Sequence, residues 1–216
     1  LDLQKNNGFF IDQEKVLSLL AVLDDESGIL NEKLVDTFEP TIEVMKTKTK
    51  IHPFNPQSRQ QIGERLMKRG WKPKQFTEKT GKPVVNEGTL KECTIPEAED
   101  IRRYMLLRKR SAQASSWVKA INEKTGRVHG NVITIGAVTN RMSHNSPNMA
   151  QIPAVYSPYG PECRECWTVE HPTTHRLVGA DASGLELRCL AHYIDDKENI
   201  DEILNGDIHS ANQRMA

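Results

Sequence analysis

The sequence predicts an α+β protein in two parts, a helical and basic stretch over residues 1–125 and a mixed stretch over 126–216. Two observations carry the division. Apolar residues recur at helical spacing through the first part, whereas after Gly126 they fall into short runs of β character separated by Pro- and Asn-rich turns. Charge divides along the chain as well, although 29 Lys and Arg balance 29 Asp and Glu over the 216 residues.

Between Thr41 and Gln75, nine Lys or Arg stand against Glu43 and Glu64, and between Ile101 and Arg127 eight stand against Glu123 alone. From Gly160 onward, eleven Asp or Glu outnumber five Lys or Arg. A basic surface leading to an acidic centre suits a polyanion beside a metal-binding site, and solvated helix faces are the plainer reading of the same runs.

A hydrophobic content of 37% is enough to bury a core. No run of about 18 apolar residues occurs, and the opening LDLQKNNGFF lacks the charged-then-apolar layout of a secretion signal, so neither a membrane nor an exported role is expected. Cys93, Cys163, Cys166 and Cys189 are too few and too scattered for a disulfide scaffold and read as reduced cytoplasmic thiols. The absent Met at the start and the helical pattern still running at NQRMA make both ends read as cut.

In chain order, Val16, Leu19, Leu20 and Leu23, then Ile29, Leu30 and Leu34, predict two short helices over 12–38, joined by a turn at Asp24 to Gly28. The Lys-Thr alternation up to Lys50 and the prolines at 53 and 56 predict extended chain or loop. Ser58 is the expected N-cap of a helix carrying Ile62, Leu66 and Met67, stopped by Gly70, with Trp71 packing back onto it. After a loop at 77–88, Pro96 opens a long helix to about Trp117. Short strands are expected within Val128 to Ile135 and Leu177 to Ala182.

The segment RLVGADASGLELRCLAHY (176–193) reads as strand, tight turn, helix, which sets Asp181 at a strand's carboxyl end. A carboxylate there suits a hard cation such as Mg²⁺, and it also suits a cap on the following helix. Cys163-x-x-Cys166 with His171 and His175 invites a zinc reading, but four residues separate the pairs, against roughly twelve to fifteen in a zinc finger. Trp71, Trp117 and Trp167 are isolated and read as packing residues.

DASGLELRCLAHY resembles motif A of family A DNA polymerases, especially those of short-tailed phages. GAVTNRMSHNSPNMAQIP (136–153) resembles the family's segment that touches the primer-template minor groove, FNPQSR (54–59) a thumb motif, and LNGDIH (204–209) the start of the fingers. One departure is Asn140, where the family usually has Gly before the Arg.

The resemblance implies a helical thumb at 1–125, then the first part of a right-hand polymerase palm at 126–216. It further implies a DNA-directed DNA polymerase that uses two Mg²⁺ ions when complete, Asp181 bridging both and the Ala182 backbone carbonyl holding one. The second carboxylate and the triphosphate-binding helix of the family have no counterpart in this sequence, so the chain alone is expected to be inactive. Ser183, Gly184, Leu185, Glu186 and His209 match positions that face the deoxynucleoside triphosphate, Glu186 as the sugar gate.

Arg141, Asn148 and Gln151, with His144 beside them, match the minor-groove segment, and purine N3 and pyrimidine O2 are the acceptors that such donors suit. Arg102, Arg103, Arg108, Lys109 and Arg110 are the candidates for sequence-independent phosphate contacts.

Some phage relatives carry a long thumb insertion that recruits host thioredoxin. Here the segment 12–38 runs into FNPQSR with little between, so no such clamp is expected. Primer-template DNA in the cytoplasm of a bacterial host is the expected setting. A single-subunit RNA polymerase is disfavoured by Glu186, a nuclease leaves the upstream motifs unexplained, and a DNA-binding remnant without chemistry leaves Asp181 unexplained.

Overall fold

The structure, a computed structural model, describes residues 2–44, 49–182, 184–195 and 197–206. Two compact units divide it, Leu1–His175 and Arg176–Ala216.

The first unit runs α1 (Asp2–Asn7), β1 (Phe9–Ile11), α2 (Gln13–Thr37), β2 (Thr41–Val44), β3 (Thr49–His52), α3 (Arg59–Lys68), α4 (Glu87–Lys91) and α5 (Glu97–Lys119). It continues through β4 (Ile121–Asn122), β5 (Arg127–Val128), β6 (Asn131–Ile133), β7 (Ser143–Asn145), a 3₁₀ turn (Met149–Gln151), α6 (Gly160–Glu165) and β8 (Trp167–Thr168). The second unit holds α7 (Leu185–Ile194) and α8 (Lys197–Asn205).

Helices α2 and α5 lie antiparallel, and a core forms at each end of the pair. Val16, Leu19 and Leu23 meet Leu107, Ala114 and Trp117 in one core, together with Ile11, Val128, Cys163 and Cys166. Leu34 and Phe38 meet Ala98, Ile101 and Tyr104 in the other, with Phe54, Ile62, Leu66, Val85 and Leu90.

The interruption at Asp24 to Gly28 is therefore not a turn. α2 is one continuous helix, and these residues mark the polar seam between the two cores, where α5 supplies their partners. Ser111 donates to Asp24 Oδ1 at 2.8 Å, and Arg103 donates to Glu26 at 2.7 Å.

Local signals set the shorter elements. The Ser58 side chain caps α3 by accepting from Gln61 N–H, Gly70 takes φ +99° after it, and Trp71 N–H returns to the Leu66 carbonyl. The stretch expected as extended chain pairs into the β2–β3 hairpin, Ile42 facing Ile51. Arg65 and Arg69 of the basic run spend their guanidiniums within the chain: buried Arg65 donates to the Glu39 carbonyl and Thr41 Oγ1, while exposed Arg69 donates to the Thr37 carbonyl and pairs with Glu97. These two arginines satisfy carbonyls at and just beyond the end of α2.

The sheet order β4-β5-β1-β8 places β1 between strands from beyond residue 125, Phe9 facing Val128 and Phe10 facing Thr168. The change of composition near residue 125 thus falls within one compact unit, which ends at His175.

The strand expected at Leu177 to Ala182 is absent. Val178 is 92% exposed, and among the described residues no strand pairs with this segment. An apolar run forms a strand only when a neighbour takes up its N–H and C=O groups.

A candidate nucleic-acid interface and an acidic turn

The β6–β7 hairpin carries the segment read as a minor-groove contact. Its loop closes through Gly136 and Ala137 N–H, both donating to the Arg141 carbonyl at 3.2 and 3.1 Å. Asn140 sits within that loop at φ +58°, in the left-handed region. Asn is among the residues with a Cβ that best tolerate this region, so the loop accommodates the residue that departs from the resembled motif. Arg141 is exposed at the hairpin's end, and His144 is half-buried in β7 opposite Val132.

Asn148 and Gln151 bracket the 3₁₀ turn. Asn148 Oδ1 accepts from Ala150 N–H at 3.1 Å, which fixes the side chain and leaves its amide NH₂ able to donate. Gln151 is exposed, while its backbone carbonyl accepts from Gln113 Nε2 of α5 at 2.9 Å. Arg164 Nε holds the next carbonyl but one, Pro153, at 2.8 Å.

The five candidate phosphate contacts on α5 divide by direction. Arg110 is 7% exposed and commits its guanidinium to the Pro158 carbonyl, Gln113 Oε1 and Ser157 Oγ. It clamps a loop and presents no donor to a duplex, contrary to the expectation from charge alone. Arg103 pairs with Glu26, Arg108 lies 3.6 Å from Asp24, and Arg102 makes a two-pronged bond to Glu99.

Lys109 is exposed and lines a groove of about 460 Å³ with Arg102, Arg103, Leu106 and Tyr159. Hydrogen bonds first from Tyr159 and then from Arg103 hold the Glu26 carboxyl below its ordinary value, and burial raises the Tyr159 hydroxyl.

In the second unit, Gly184 takes φ +60° and α7 follows it, while the other residue of the expected turn, Ser183, lies outside the described residues. Asp181, Ala182, Leu185 and Glu186 are exposed. Ser183 and His209 lie outside the described residues. An octahedral Mg²⁺ takes six oxygens, of which the Asp181 carboxylate and the Ala182 carbonyl offer a part. Among the described residues, no group of three His, Cys, Asp or Glu comes together to hold a metal ion. The donor type suits a hard cation, but the number does not complete its shell.

Cys163 and Cys166 are fully buried core residues, and burial pushes the Cys166 thiol up to about 11.

Sequence reasoning missed Gln113, Tyr159, Asp24 and Glu26. The signal for Arg110 was present: it follows Leu107 by three residues and precedes Ala114 by four, on the buried face of α5.

The DNA polymerase family A profile matches residues 26–215. Over 182 residues the chain is 42% identical to the DNA-directed DNA polymerases of Enterobacteria phage T3 and Escherichia phage T7, covering 76% of this chain and 26% of each of those proteins. It is 34% identical over 165 residues to the thermostable DNA polymerase I of Thermus aquaticus, covering 74% of this chain and 19% of that protein. The chain therefore spans about a quarter of the length of the curated phage relatives it matches.

Its fold is similar, at a TM-score of 0.75 and 20% identity, to the POL domain of Pol1 from M. smegmatis in complex with DNA primer-template and dNTP, over 96% of this chain and 35% of that one. By the extent of the profile match and by its likeness to the phage enzymes, the chain belongs to DNA polymerase family A.

Proposed function

We propose that this chain is the thumb and first palm portion of a DNA-directed DNA polymerase that extends a primer during phage DNA replication in the cytoplasm of a bacterial host. The 42% identity to phage enzymes of that activity, over a span of 182 residues, carries the reading.

In it, Lys109 and Arg102 grip duplex phosphates without regard to sequence, while Arg141, Asn148 and Gln151, flanked by His144, donate to minor-groove acceptors. Asp181 and the Ala182 carbonyl contribute part of a Mg²⁺ shell whose remaining donors come from outside the described residues. Ser183, Gly184, Leu185, Glu186 and His209 face the incoming deoxynucleotide. The short connection from α2 to Phe54, whose described residues form the β2–β3 pair, supports a thumb that works without a thioredoxin clamp.

Primer extension by the complete gene product tests the reading. The unaltered protein is expected to extend a primed template and its Asp181→Asn variant to bind the same DNA without extending it. Extension unchanged in the variant, or none by the parent, would leave a DNA-binding protein without this chemistry.

A further inference from the structure

We infer that Gln113 of α5 is a positioning residue that sets Gln151 for its contact with the minor groove. The inference rests on the reading of Gln151 as a DNA contact given above.

The geometry is a relay. The buried Arg110 guanidinium donates to Gln113 Oε1 at 3.0 Å, which fixes the orientation of the Gln113 amide. With its oxygen occupied, that amide turns its Nε2–H toward the Gln151 carbonyl, at 2.9 Å. Arg110 is itself anchored by the Pro158 carbonyl and Ser157 Oγ, so the relay begins on a fixed point.

Gln151 closes a 3₁₀ turn of three residues, an element too short to hold its own place. Its exposed side chain has no packing to aim it, so the backbone beneath must do so. Gln113 grips that backbone from a 23-residue helix packed along α2, and Arg164 holds the Pro153 carbonyl two residues on. Placement of a donor to within a fraction of an ångström is what separates a matched pair from a misaligned one.

The test is binding of the full chain to primer-template duplexes in which 3-deazaadenine replaces adenine, one position at a time near the primer end. This base pairs normally but offers no N3 acceptor. The parent chain is expected to bind one such duplex about threefold to tenfold more weakly than the unmodified one, and Gln151→Ala is expected to abolish the difference.

Gln113→Glu keeps an acceptor for Arg110 yet has no N–H for the Gln151 carbonyl, so it is expected to fold normally and also to lose the difference. Gln113→Met, similar in length and without polar groups, is a second variant with the same expectation. If both Gln113 variants retain the parent's difference while Gln151→Ala loses it, Gln113 does not position Gln151. If Gln151→Ala retains the difference, or the parent shows none, the minor-groove reading of Gln151 fails first and the relay with it.

Discussion

Glu26 of α2 and Arg103 of α5 form an ion pair of 2.7 Å, and the Tyr159 hydroxyl is hydrogen-bonded to the same carboxylate. With Arg108 3.6 Å from Asp24 and Arg102 bonded to Glu99, three of the cations counted toward a polyanion surface are already paired within the chain, two of them along this seam. The seam between the two cores therefore sets how much positive charge α5 offers to DNA.

Neutralising the seam is expected to strengthen duplex binding. In an Asp24→Asn, Glu26→Gln double variant, each guanidinium released to a phosphate steepens the dependence of log affinity on log salt by about 0.9, or roughly two units for both. Anisotropy titrations across a salt series measure the slope. An unchanged slope would mean that Arg103 and Arg108 do not reach phosphates.

Adjacent residues on α5 are expected to behave oppositely. Lys109→Ala should weaken duplex binding and lower the salt slope by about one unit while leaving the unfolding midpoint alone. Arg110→Leu should leave the part-buried Pro158 carbonyl and Gln113 Oε1 without their donor and lower stability by about 0.5–1.5 kcal/mol for each hydrogen bond lost. Urea denaturation of the two variants beside the parent separates the cases.

Asn140 is expected to accept Gly and resist Ala. At φ +58° a side chain that cannot bond locally costs roughly 1–2 kcal/mol, so Asn140→Ala should lower stability by about that much, and Asn140→Gly should stay close to the parent. Thermal unfolding of the three proteins decides it.

Burial raises the thiols of Cys163 and Cys166, the latter to about 11 from an ordinary 9.0. A group that holds its proton more tightly folded than unfolded contributes stability below the unfolded value, and loses it as pH rises toward the folded one. The urea midpoint is therefore expected to fall from about pH 9 upward. At neutral pH, a thiol reagent should modify the exposed Cys189 promptly and reach Cys163 and Cys166 only on unfolding.

What was legible in the sequence was what neighbours in the chain decide. The Ser58 cap, the Gly70 stop and the long helix after Pro96 stand as expected, because a cap or a breaker acts within one turn. The supposed turn at Asp24 to Gly28 was misread because its polar residues answer Arg103, Arg108 and Ser111, far along the chain. Charge counts gave amounts without directions, so Arg65 and Arg110 entered a surface that they do not occupy, and the exposed Arg69 entered it with its guanidinium already committed to the Thr37 carbonyl and Glu97. The apolar run at 177–180 carried a strand pattern, and a pattern cannot supply a pairing neighbour.

Strand β1 is the first strand of the first unit in sequence, yet it sits inside the sheet between β5 and β8. Its edges close only when Val128 and Thr168 arrive, so the sheet belongs to the late events of folding, whereas the α2–α5 pair can assemble before it. During synthesis one edge of β1 has no partner until β5 has emerged, and the other has none until β8 follows some forty residues later. Closure of β1 between β5 and β8 is therefore expected late in folding, and pulsed hydrogen exchange during refolding should show the Phe9 to Ile11 amides protected after those of α2 and α5.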